Sequence, residues 1–124
     1  MASSNQQARM ARHSRMFVRI GGFSGFAAIV LGAYGAHVLK LRSGIEHEIT
    51  TFDSANKYHL IHSLALLAVP MSKNPLLTGS LMTAGIIGFC GVGYFYSFTS
   101  DPTPVKLMPV GGVLLMAGWL SLAL

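Results

Sequence analysis

Seven polar side chains stand inside or at the edges of otherwise apolar stretches: His37, then Asn56, Lys57, Tyr58, His59, His62 and Ser63. A polar group in hydrocarbon is costly, so each needs a partner or a task. Asn56, His59, His62 and Ser63 recur at helical spacing and form one stripe. Four uses of it compete. Histidines can hydrogen-bond across helices or to backbone carbonyls while Lys57 snorkels to the interface. His59 and His62, three residues apart, can join His37 as three nitrogens for a metal or haem. A histidine cluster can handle protons or a solute. The stripe can also dock a partner.

Other catalytic chemistry finds little support. There is no His-Glu-x-x-His, nucleophile elbow, phosphate-binding loop or Cys-x-x-Cys pair. The lone Cys90 lies in an apolar run and reads as a small buried hydrophobe. Glu46, Glu48 and Asp53 read as loop solvation. The expectation is a protein that is not an enzyme, with no resident cofactor or metal.

The elements that must position the stripe are apolar helices. Hydrophobic residues make up 52% of the 124-residue chain and charged residues 10%. That is far below the roughly 25% charge of soluble domains, so this chain is too poor in charge for a water-facing surface. Four segments of membrane-crossing length follow, at about 20–39, 54–71, 76–98 and 105–124. The expected architecture is all-α, a four-helix bundle integral to the bilayer, spanning 17–124 behind a basic polar tail at 1–16. Asp53 or Ser54 would cap the second helix, and Pro70 would end or kink it. Tyr94, Tyr96 and Trp119 read as interfacial anchors.

Small residues set the packing. Gly21, Gly25, Gly32 and Gly35 fall with Ala28 on one face of the first helix, and Gly85 and Gly88 recur in the third. Small faces let helix backbones approach closely in lipid. The expectation is that these two faces pack on each other and that the second helix turns its stripe inward, towards His37.

The net charge of +5 is uneven: Arg9, Arg12, Arg15 and Arg19 all precede the first acid, Glu46. Basic residues beside an apolar span attract anionic headgroups and set topology, which fits the pattern better than nucleic-acid binding. An acid-free, Arg- and Ser-bearing start also fits a mitochondrial targeting segment, against a plain cytoplasmic or matrix-side tail or a secretory signal. Four spans place both termini on one side, and the dense arginines favour the cytoplasmic or matrix side.

Tyr34-Gly35-Ala36-His37 and the run from Phe52 through His59-Leu60-Ile61-His62-Ser63 to Leu67 resemble the transmembrane protein 256 family, related to small bacterial membrane proteins grouped as domain of unknown function 423. Ser100-Asp101-Pro102, Pro109-Val110-Gly111-Gly112 and Gly118-Trp119-Leu120 share the likeness, which covers residues 17–124 but not the basic tail. The resemblance implies a small multi-pass membrane protein, mitochondrial in animals, with no established activity. It implies that His37 and His62 are the leading pair, the position of His59 being more variable. The resulting expectation is an accessory or scaffold component of a mitochondrial inner-membrane complex, in contact with lipid and not with nucleic acid. The alternative is a small transporter or proton-handling protein using His37, His59 and His62.

Overall fold

The structure, a computed structural model, describes residues 3–124. It is all-α, with no strand among the described residues. The first helix, α1, runs from Ser4 to His37. It thus absorbs most of the segment expected to be a tail. Ser3 and Gln6 explain the early start: each side chain bonds the other's backbone N–H, a capping box that satisfies two otherwise free donors.

After a single 3-10 turn at Leu39–Leu41 and a left-handed Gly44, α2 spans Glu46–Leu66. It begins eight residues before Ser54, the cap expected from sequence. Nothing between 46 and 54 breaks a helix, and Glu46 and Glu48 place negative charge in the first turn, where the helix dipole favours it. At the far end Pro70 supplies no N–H, and the chain tightens into a 3-10 turn at Val69–Met71.

Asn74 caps α3 (Pro75–Gly85) by accepting from the Leu77 N–H. A π-helical segment, Ile86–Gly91, carries α3 into α4 (Val92–Thr99), giving one continuous rod. A left-handed Ser100 ends it. A 3-10 turn at Thr103–Leu107 leads into α5 (Met108–Ala123).

Three of these helical stretches are long and apolar enough to cross a membrane: Ser4–Leu41, Pro75–Thr99 and Thr103–Ala123. The sequence suggested four. The difference is α2, whose N-terminal part carries Glu46, Glu48, Asp53 and Lys57. Outward faces are strongly apolar, with Phe23 76% and Leu64 68% exposed, as suits contact with lipid.

Helix pairing also differs from expectation. The small face of α1 packs on α2, not on α3. A side chain at Gly21 would strike Leu66 and the Ser63 carbonyl, and one at Gly35 would strike the Phe52 ring. Gly32 lies against Asn56, and Gly25 faces Ser63 more loosely. Gly85 and Gly88 instead meet Leu115 and Gly111 of α5. Small faces fix how closely helices approach but not which partner they choose; the large side chains seated opposite decide that. Phe17, packed on Gly79, is where α1 reaches α3.

Two apolar clusters hold the bundle: Phe17, Ala65, Leu66, Val69 and Met82, and Leu39, Phe52, Ala55, Cys90 and Tyr94. Along α2, His59, His62 and Ser63 come between their members.

Candidate functional site

The polar stripe of α2 is buried: His59, His62 and Ser63 are each less than 10% exposed. Its partners come from three other helices. His59 Nε2 lies 2.9 Å from Ser24 Oγ on α1, and Ser24 Oγ lies 2.6 Å from Ser63 Oγ. His59 Nδ1 lies 2.8 Å from the Tyr94 hydroxyl on α4. Asn56 donates through Nδ2 to the Ala28 carbonyl at 2.8 Å and to the Tyr94 oxygen at 3.1 Å.

The direction of every bond follows by elimination, because a carbonyl only accepts. Ser63 donates to the His59 carbonyl at 2.7 Å. Its hydroxyl hydrogen is therefore used, and Ser24 must donate to Ser63. Ser24 then accepts from His59, which places the ring hydrogen on Nε2. His59 Nδ1 in turn accepts from the Tyr94 O–H, and the Tyr94 oxygen accepts from Asn56. The result is a directed chain from Asn56 through Tyr94, His59, Ser24 and Ser63 that ends on the backbone of His59 itself. Each hydrogen in it has an acceptor.

His62 belongs to a second, separate arrangement. Its Nδ1–H donates to the Tyr58 carbonyl at 2.7 Å, and its Nε2 accepts from the Trp119 indole N–H at 2.9 Å. The two histidines thus hold opposite tautomers. Tyr58, His62, Phe89, Leu115 and Trp119 line a lateral cleft of about 400 Å³ beside the π-helical segment. Phe89 meets Tyr58 edge to face, with ring centroids 5.2 Å apart.

His37 joins neither arrangement. It stands exposed on the last turn of α1. Gly35 faces α2, and two further residues turn the helix by about 200°, pointing His37 away. The expected pairing with His62, and the three-histidine constellation, do not form. Among the described residues no three His, Cys, Asp or Glu side chains are placed to hold a metal ion. Lys57 is exposed, with its ammonium 6.0 Å from the Tyr58 ring.

Three members were missed as participants from sequence. Ser24 carried a usable signal: it falls on the same face as Gly21, Gly25 and Ala28. Tyr94 and Trp119, expected as interfacial anchors, each bond a histidine; Tyr94 is buried, whereas Trp119 stays 44% exposed. Away from the stripe, Tyr96 donates to Glu48 at 3.0 Å, and Thr78 and Ser121 link α3 to α5 at 2.6 Å.

The family described as Protein of unknown function (DUF423) matches residues 31–112. That stretch contains Asn56, His59, His62, Ser63 and Tyr94 and stops short of Ser24 and Trp119. A UPF0382 membrane protein of Staphylococcus aureus is 33% identical over 113 residues, covering 87% of this chain and 92% of the relative. A UPF0382 membrane protein of Haemophilus influenzae is 32% identical over 117 residues, covering 86% and 90%. No solved structure matches. The bacterial relationship expected from the sequence is borne out.

Proposed function

The chain belongs to the DUF423 family of membrane proteins, and from that premise we propose that it is a non-enzymatic, four-span accessory or scaffold subunit of a larger membrane complex. The observation that supports this reading is the closed hydrogen-bond chain of Asn56, Tyr94, His59, Ser24 and Ser63. Its groups are spent on one another, which rigidifies a bundle rather than offering a free nucleophile or base. In this reading α2 is the fourth span. Its polar first half lies at the interface, and its stripe is sheltered by α1, α4 and α5.

The mitochondrial inner membrane is the proposed location. The support is the start of α1, which is helical, arginine-rich and free of acids. Both termini then face the matrix. The test is a native gel of the tagged protein from mildly solubilised membranes, with mass spectrometry of co-migrating chains. A discrete large assembly supports a subunit; migration as a monomer or small homo-oligomer overturns it.

Proton handling is the second reading, favoured by the continuity of the chain through His59. Purified protein in vesicles carrying a pH gradient separates the two. Flux lost in His59→Ala, with the fold retained, would establish it; no flux in the native protein would remove it.

A further inference from the structure

At about 1.5 Å per residue, the 34 residues of α1 extend for about 51 Å, well beyond a hydrocarbon core of about 30 Å. Its first turns must therefore stand in and beyond the headgroup layer. Arg12, Arg15, Arg19, Phe23, Phe26 and Val30 follow one another at steps of three, four, four, three and four. That spacing places them in a single line along the helix. The line faces away from the bundle: Phe17, on another side of α1, is buried against Gly79, whereas Phe23 and Phe26 are 76% and 71% exposed. No carboxylate opposes these arginines; among the described residues the only ion pair is Lys40–Asp53.

Two consecutive hollows run down this face. One of about 730 Å³ is bounded by Arg12, Arg15, Arg19 and Phe23 and, on the flank of the line towards the bundle, by Ile20 and Ser24. The next, about 500 Å³, is bounded by Arg19, Gly22, Phe23 and Phe26. Gly22 differs from the glycines that pack the bundle. A side chain there would meet nothing within 4 Å, so helix packing does not require its smallness. Its absent side chain leaves the second hollow open beside Phe23 and Phe26.

We propose that this face is a binding site for one anionic phospholipid. The phosphate lies across Arg12, Arg15 and Arg19, and an acyl chain descends past Gly22 beside Phe23 and Phe26. The polar-to-apolar order of the line matches the order of such a lipid from water to bilayer. Guanidinium forks match phosphate oxygens in geometry and remain charged at every relevant pH. A zwitterionic lipid carries its own ammonium beside the phosphate and gains less. The site does not depend on whether the chain is a subunit of a complex.

The test is native mass spectrometry of the full chain in mild detergent, with equal amounts of phosphatidylglycerol and phosphatidylcholine bearing the same acyl chains. Preferential retention of one phosphatidylglycerol is expected. Arg12→Gln, Arg15→Gln and Arg19→Gln should together lower that preference by about fivefold per arginine. Gly22→Leu should lower retention severalfold with every charge in place. Excess inorganic phosphate should leave the lipid bound. All substituted positions are exposed, and circular dichroism should show unchanged helix. Equal retention of the two lipids, a preference that survives the triple substitution, or displacement by inorganic phosphate would overturn the site. Indifference to Gly22→Leu would overturn it too, leaving only diffuse surface charge.

Discussion

The indole of Trp119 donates to Nε2 of His62 across 2.9 Å, tying α5 to α2 over a separation of 57 residues. The imidazole can accept because its other nitrogen donates to the Tyr58 carbonyl. Trp119→Phe keeps most of the ring and deletes the donor. The expected cost is about 0.6 kcal/mol and at most about 1.7, the range for interhelical hydrogen bonds in a bilayer. Reversible unfolding in mixed micelles, run as a double-mutant cycle with His62→Phe, isolates the pair. A coupling of zero would mean that the two rings only pack.

Tyr94→Phe should cost more. Removing that hydroxyl leaves His59 Nδ1 without a donor and one Asn56 N–H without an acceptor. Buried polar groups left unpaired cost about 1–3 kcal/mol. Tyr58→Phe, at a ring that is 40% exposed, should stay within about 0.5 kcal/mol. The same measurement ranks the two. In addition, ¹⁵N spectra of the histidines should show His59 hydrogenated on Nε2 and His62 on Nδ1. Matching tautomers would contradict these bond directions.

What the sequence revealed followed from periodicity and composition. Apolar stretches and the polar stripe of α2 were visible because both repeat at helical spacing. Ser24 lay on that same grid and could have been found. The early start of α1 was signalled by Ser3 and Gln6, but their polarity made the segment read as a tail. The partners of Gly35, Gly85 and Trp119 were not legible, since they depend on Phe52, Leu115 and His62 arriving from other helices. His37 misled because proximity in depth is not proximity in azimuth: one helix end can hold Gly35 facing inward and His37 facing out.

Asp101 gives a pH-dependent prediction outside the spans. Hydrogen bonding from the Thr103 side chain and then from its backbone N–H holds the Asp101 carboxyl below its ordinary value. The N–H contact measures 3.0 Å and shapes the turn between α4 and α5. A carboxyl depressed in the folded state contributes stability above its unfolded value, and that contribution is lost as pH falls through the folded one. Its ¹³C-carboxyl titration should therefore have a midpoint below that of an unstructured aspartate. Thr103→Val, which removes the hydroxyl and keeps the backbone N–H, should move the midpoint upward. A midpoint at or above the unstructured value would refute the contact.

Glycines should separate into two classes by what faces them. At Gly111 a Cβ would run into the backbone of Gly88 and Phe89 in the π-helical segment, where no flexible side-chain end can yield. Gly111→Ala must therefore push α5 away from that segment or unwind it. Overpacking of this kind typically costs about 1–3 kcal/mol. At Gly22 nothing stands within 4 Å, and alanine is the better helix former by roughly 1 kcal/mol. Gly22→Ala should thus leave stability unchanged or raise it. Unfolding of both variants in the same micelles compares them directly. Equal stability for the two would mean that α5 does not approach the π-helical segment as closely as described.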